Sequence, residues 1–173
     1  LYEDLDSIVL LGYSYGGMVV TGALQHIAAR VRHLVYLDAF VPADGDSLIA
    51  LASLPVEVGV IAIGEEWLIP PVRRTYDDEA EAAFMSPRRV PHPVGCFSEN
   101  VRLSKPLEDY PFERTYIRAV ADVDDTASAR AFETAARHAR DSDAWHYHEI
   151  ATNHMVASNR PEELSRLLVA CAR

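Results

Sequence analysis

The chain has 173 residues, enough for one domain with a hydrophobic core, and its 49% hydrophobic and 24% charged residues are typical of a globular protein. Its 26 acidic and 16 basic residues give a formal net charge of -10, which argues against a binder of nucleic-acid backbones. No apolar run reaches the ~18 residues of a membrane span, and two cysteines make no disulfide framework, so we expect a cytoplasmic protein with reduced thiols and no membrane partner.

Strands and helices alternate in the predicted order. Short apolar runs at 7–11 and 32–40 predict strands buried on both faces of a sheet, with a helix over 15–30 between them. Later in the chain, the same patterns predict strands at 114–121 and 145–151. Helices follow each of these two strands, at 127–140 and 161–172, and Asn159 is a candidate N-cap for the last helix. This order predicts an α/β fold with a mostly parallel sheet and flanking helices.

Residues 42–106 interrupt this alternation. The segment holds most of the prolines but also Trp67, Phe84 and Phe97, so it is not a flexible linker. We interpret residues 42–106 as a small cap inserted into a single domain, 1–173, and packed over one edge of the sheet.

The segment "LLGYSYGGM" joins the first predicted strand to the first helix. Gly12, Ser14 and Gly16 form G-x-S-x-G, and between a strand and a helix this motif indicates a nucleophile elbow. The amides at the start of the following helix can stabilise a developing oxyanion. A glycine-rich turn with an incidental serine is the alternative.

A serine nucleophile needs a histidine base. Among seven histidines, His154 lies in the loop between the last strand and the last helix, which is the place a base would occupy. His146 and His148 have a spacing that suits a metal, but no third ligand is evident, so we interpret them as strand-face residues and expect no metal.

The acid that orients the histidine is expected at the end of a strand. Asp122 follows the third strand and is the first choice, whereas Asp124 and Asp125 are better placed to cap the next helix. Asp38, at the end of the second strand, is the runner-up. With Asp122 the chain order is serine, acid, histidine, as in elbow-type hydrolases.

Five segments carry a family resemblance, and together they touch most of the chain. They are "VLLGYSYGGMVVTG", "VRHLVYLDAFVPADGDSL", "PHPVGCFSENVRL", "RTYIRAVAD" and "NHMVASNRPEELSRLL". In this order the chain resembles the α/β-hydrolase superfamily, and most closely its methylesterase and hydroxynitrile-lyase-like branch.

The resemblance implies a carboxylic ester hydrolase that needs no cofactor. It implies that Ser14 is the nucleophile, His154 the base and Asp122 the acid. It also implies that the Tyr15 amide is an oxyanion donor. Phe40 and Trp67 would line the substrate pocket, with plain core packing as the alternative for both residues.

Two departures from the family pattern affect the expected function. Met155 stands where plant hydroxynitrile lyases of this branch carry a lysine, which favours ester hydrolysis over C–C cleavage. The strands that precede the elbow in the family, with their His-Gly loop, have no counterpart here, which suggests an N-terminally truncated copy. The first strand would then expose an edge that invites self-association. The alternatives are a lyase that acts on cyanohydrins and a non-catalytic remnant or small-molecule-binding module.

Overall fold

A computed structural model describes residues 3–54, 67–71, 76, 78–121 and 127–173. The helices and strands follow in chain order. They are β1 (Ile8–Tyr13), α1 (Gly16–Ile27), β2 (Val31–Leu37), α2 (Leu48–Leu51), β3 (Leu68–Ile69), α3 (Glu79–Met85), β4 (His92–Pro93), α4 (Gly95–Ser98), β5 (Glu113–Ala119), α5 (Ala127–Asp141), β6 (His146–Ile150), α6 (Val156–Asn159) and α7 (Pro161–Cys171).

Strands β1, β2, β5 and β6 form a parallel four-stranded sheet in the order β1-β2-β5-β6, which confirms the predicted fold class. The two central strands, β2 and β5, are buried along most of their length because helices cover both of their faces. In β2, Leu34 and Tyr36 pack toward α1 and α5, whereas Val35 and Leu37 pack toward α6 and α7. Because the four strands are parallel, their carboxyl ends lie at the same edge of the sheet, together with the loops that follow them.

Strand β1 pairs with β2 and with no other strand among the residues that the structure describes. Its side chains are mostly half-buried, in contrast to the buried β2 and β5. Self-association through β1 stays a prediction.

The described parts of the cap segment, residues 42–106, contain short elements only. Strands β3 and β4 form a two-stranded antiparallel ladder, and α2, α3 and α4 are helices of this segment. The side chain of Glu81 on α3 accepts hydrogen bonds from Asn153, at 3.5 Å, and from Asn159, at 3.2 Å. The cap segment is therefore tied directly to the loop that carries His154.

The expectation for Asn159 is wrong. Arg160 is the residue at the N-cap position of α7, and its side chain makes no capping hydrogen bond. The Asn159 side chain donates to Glu81 and, at 2.9 Å, to Asn153. These tertiary contacts replace the local capping bond that the sequence pattern suggested.

Candidate active site

Ser14 lies at a sharp turn between β1 and α1. Its φ angle is +55°, in the left-handed region that non-glycine residues rarely adopt. Two hydrogen bonds, one to β2 and one to the loop after it, hold the turn. The Ser14 amide donates to the Leu37 carbonyl at 3.2 Å, and the Phe40 amide donates to the Ser14 carbonyl at 3.2 Å. The strained turn places the Ser14 hydroxyl at the carboxyl edge of the sheet.

Two of the nearby glycines are required by close packing. A Cβ at Gly12 would lie 2.6 Å from Val20 Cγ2 and 2.8 Å from the Gly16 carbonyl oxygen. A Cβ at Gly17 would overlap the carbonyl oxygen of Phe40, whereas at Gly16 it would meet nothing within 4 Å. The steric requirement thus falls on Gly12 and Gly17, and the second glycine of the G-x-S-x-G pattern has no such constraint.

We expect Gly17→Ala to lower the free energy of unfolding by about 1–3 kcal/mol, because the added methyl forces α1 away from the Phe40 backbone. Gly22→Ala, on the same helix, is the matched control: its Cβ has nothing within 4 Å. That variant should gain about 0.5–1 kcal/mol from helix propensity. Urea unfolding of both variants measures the difference, and equal midpoints would contradict the packing argument.

His154 is 4% exposed and lies within hydrogen-bond distance of Ser14: its Nε2 is 2.9 Å from Ser14 Oγ. Phe132 stacks on the imidazole with ring centroids 5.4 Å apart, and the Tyr13 ring lies at 4.8 Å. The Tyr13 hydroxyl also donates to the His154 carbonyl at 2.8 Å. These contacts from β1 and α5 fix both the ring plane and the backbone of the histidine.

The other ring nitrogen of His154 faces Asp38. His154 Nδ1 is 2.6 Å from Asp38 Oδ2. Because an ionised carboxylate only accepts hydrogen bonds, Nδ1 carries the proton, and Nε2 is left to accept from the Ser14 hydroxyl. Ser14, His154 and Asp38 therefore form a continuous hydrogen-bonded chain.

Asp38 follows β2 directly and has a φ angle of +42°. Its backbone amide donates to the Ile117 carbonyl at 2.7 Å, which anchors it to β5. Asp122, the first choice from the sequence, lies outside the described residues. The contact between Asp38 and His154 favours the runner-up.

A buried ion pair holds the second oxygen of the Asp38 carboxylate. Asp38 Oδ1 accepts hydrogen bonds from Arg118 Nη1 and, at 3.2 Å, from the Ala119 amide. Burial by itself lowers the pKa of Arg118, but the Asp38 carboxylate outweighs that effect and raises it above its ordinary value. Burial, reinforced by the Asp38 charge, raises the pKa of the neighbouring Tyr116 phenol.

The amide of Tyr15 is available for an oxyanion. It lies at the N-cap of α1, and no acceptor for it occurs among the residues with described structure. The Tyr15 ring makes an edge contact with His92 of the cap segment, with centroids 5.8 Å apart. Burial, followed by the Cys96 thiol, raises the pKa of the Tyr15 phenol, which therefore stays neutral.

A cavity of about 930 Å³ lies beside the site. The loop after β2, the segment 103–108 and one face of α5 line it, and Phe40 is the residue that it shares with the elbow region. Trp67 does not appear among the described lining residues, and its side chain is 51% exposed. The role of Trp67 in a pocket stays a prediction.

His146 and His148 lie on the exposed side of β6. His146 Nε2 is 2.9 Å from Glu113 Oε2. In the described ranges, no group of three or more His, Cys, Asp or Glu side chains is placed to hold a metal ion. Within the same ranges, no helix is both long and apolar enough to cross a membrane.

A family model and a curated protein both resemble this chain. The family model described as "Alpha/beta hydrolase family" matches residues 1–167. A carbendazim-hydrolysing esterase of Nocardioides sp. (strain SG-4G) is 58% identical over 64 residues, which are 36% of this chain and 26% of that protein. The match thus spans about a quarter of the length of that curated relative.

Two solved structures share the fold over nearly the whole chain. An extracellular alpha/beta-hydrolase from a Paenibacillus species, described as homologous in structure and function to tobacco salicylic acid binding protein 2, has a TM-score of 0.75 at 21% identity and covers 99% of this chain and 74% of its own. A pyrethroid hydrolase from Sphingobium faniae JZ-2 has a TM-score of 0.64 at 16% identity and covers 99% and 73%. At these identities the likeness establishes the fold alone.

Proposed function

Because this chain belongs to the alpha/beta hydrolase family, we propose that it is a serine hydrolase that cleaves small carboxylic esters through an acyl-enzyme intermediate. The observation that carries this proposal is the hydrogen-bonded chain Ser14–His154–Asp38, with distances of 2.9 Å and 2.6 Å at its two links. The name of the similar curated protein, an esterase, supports the same reaction class.

In the first half of the reaction, Ser14 Oγ attacks the ester carbonyl carbon while His154 Nε2 accepts the hydroxyl proton. The carbonyl oxygen gains the negative charge, and the Tyr15 amide at the start of α1 donates a hydrogen bond to it. The tetrahedral intermediate then expels the alkoxide, which takes the proton from His154 and leaves as an alcohol.

In the second half, a water molecule attacks the acyl carbon of the Ser14 ester while His154 Nε2 accepts its proton. The intermediate collapses, the C–O bond to Ser14 breaks, and the proton returns to Ser14 Oγ. Throughout, the Asp38 carboxylate accepts the Nδ1 proton of His154 in a hydrogen bond and stabilises the imidazolium that forms twice per turnover.

Covalent labelling tests the proposal. A fluorophosphonate probe should modify the folded protein at Ser14, as mapped by peptide mass spectrometry, because the activated hydroxyl displaces fluoride at the phosphorus. Ser158→Ala, an exposed serine on α6, should label like the wild type, and Ser14→Ala should not label. Absence of label on folded protein would instead support a non-catalytic remnant.

A product assay separates hydrolysis from the lyase alternative. Acetate release from an aryl acetate is the expected activity, whereas cyanide release from mandelonitrile would identify a lyase. Met155 offers a thioether where a lyase of this branch has a cationic lysine, and a thioether cannot stabilise departing cyanide through charge. The expected result is therefore acetate release without cyanide release.

A further inference from the structure

Arg118 lies next to the proposed active site but takes no direct part in the reaction described above. It is on β5, it is 7% exposed, and its Nη1 binds Asp38 Oδ1 while Oδ2 of the same carboxylate faces His154. One carboxylate thus joins a cation and the candidate base through its two different oxygens.

Burying a guanidinium is costly unless it is paired, so an arginine here needs a reason. A neutral hydrogen-bond donor, such as a side-chain amide, would fix the position of Asp38 Oδ1 equally well. What the arginine adds is a positive charge, which partly neutralises the charge of the Asp38 carboxylate that faces His154.

A second buried arginine on the same strand shows a different use. Arg114 is 5% exposed, and its guanidinium donates to backbone carbonyls, among them those of Leu107 and Tyr110. These bonds hold the segment that precedes β5. Arg114 therefore serves the fold, whereas Arg118 is directed at the Asp38 carboxylate.

We propose that Arg118 is a positioning residue that acts through Asp38 and sets the lower pH limit of activity. This inference rests on the proposed function, since it needs His154 as the base. The Arg118 charge, one carboxylate away from the imidazole, disfavours a second positive charge on His154, so His154 stays in its neutral, proton-accepting form to lower pH.

The charged and titratable groups that the described elements bring to this pair are few. The Tyr116 phenol lies near Asp38, and the Tyr13 phenol lies against His154. Glu133 of α5 is near the far side of Arg118, with Nε–Oε2 at 3.8 Å, and it is partly exposed. Arg118 is thus the cation that contacts Asp38 directly within the described part of the chain.

Two substitutions separate charge from hydrogen bonding. Arg118→Gln keeps a donor for Asp38 but removes the charge, and Arg118→Lys keeps the charge. We expect the ascending limb of kcat/KM against pH to move upward by about one unit in R118Q, a loss of about tenfold at pH values below the limb. R118K should restore the limb toward its wild-type position.

Arg114→Gln is the matched control, because it removes an equally buried guanidinium from the same strand. Arg114→Gln should lower the free energy of unfolding without moving the ascending limb of kcat/KM against pH. A purely structural loss lowers activity by the same factor at every pH. Glu133→Gln should also leave the limb near its wild-type position. A limb that stays in place in R118Q, or one that moves equally in R118K or R114Q, would overturn the inference.

Fluorophosphonate labelling of each variant distinguishes a failure of the Arg118 inference from a failure of the proposed function. If Ser14 of the wild type does not label, the hydrolase proposal itself fails. If the wild type labels and hydrolyses ester while R118Q keeps the wild-type limb, only the role of Arg118 fails.

Discussion

Replacing Ser14 by alanine is expected to lower kcat for an aryl acetate by about 10⁴- to 10⁶-fold, because no other group can form the acyl-enzyme. The hydroxyl is half-buried at the edge of the sheet and points to His154 Nε2 at 2.9 Å, so the substitution removes one oxygen and little packing. Steady-state kinetics with freshly purified protein measure the loss, and circular dichroism should show an unchanged fold.

Ser165→Ala is the control for the serine substitution. Ser165 lies on the exposed face of α7, far in sequence from the elbow, and its loss should change kcat by less than twofold. A Ser14→Ala protein that retained a hundredth of the wild-type activity, after contamination is excluded by active-site titration, would remove Ser14 from the mechanism.

The second large effect is expected for Asp38→Asn, with a loss of kcat of about 10³- to 10⁴-fold. Asparagine is close in shape, but it is neutral and cannot stabilise the imidazolium, and its amide hydrogens allow the wrong tautomer of His154. The matched comparison is Asp122→Asn, which we expect to cost less than tenfold. The reverse ranking would assign the acid to Asp122.

Asp38→Asn also leaves the buried Arg118 charge without its carboxylate, so we expect about 3 kcal/mol lower stability. Activity must therefore be measured well below the unfolding temperature of the variant. The double variant Asp38→Asn/Arg118→Met removes the unpaired charge and should recover most of that stability without recovering kcat. Recovery of both would mean that Asp38 acts on folding alone.

The sequence predicted the sheet because its signals are local. Continuous apolar runs mark strands that are covered on both faces, and the order of strands and helices then leaves few topologies. Ser14 and His154 could be selected for the same reason: each follows a strand in a short loop, and the glycines before and after Ser14 are visible in the sequence.

Local sequence signals could not decide which aspartate is the partner of His154. Asp38 and Asp122 both lie at the end of a predicted strand, and both lie between Ser14 and His154 in the chain. Asp38 has a left-handed backbone and a carboxylate directed at His154, and both depend on contacts with β5, which is 80 residues away in sequence.

Arg118 and Glu81 were missed for a related reason. Arg118 is one of several charged residues in β5, and the sequence gives no indication of which of them has a buried partner. Glu81 lies in the cap segment and contacts the His154 loop across more than 70 residues of sequence. Gly17 is a local signal that the sequence analysis did not use. It directly follows the motif glycine Gly16, and it is Gly17, not Gly16, that packs closely against the Phe40 backbone.

The adjacency of β2 and β5 has a consequence for how relatives of this chain are recognised. Leu37, the last residue of β2, is opposite Ile117, which is two residues before the end of β5, so the carboxyl ends of the two strands are neighbours about 4.8 Å apart. A carboxylate could reach the same imidazole from either strand, and point substitutions would suffice to transfer the role between them during evolution. An alignment that demands an aspartate in one fixed column would then discard active homologues as degenerate copies.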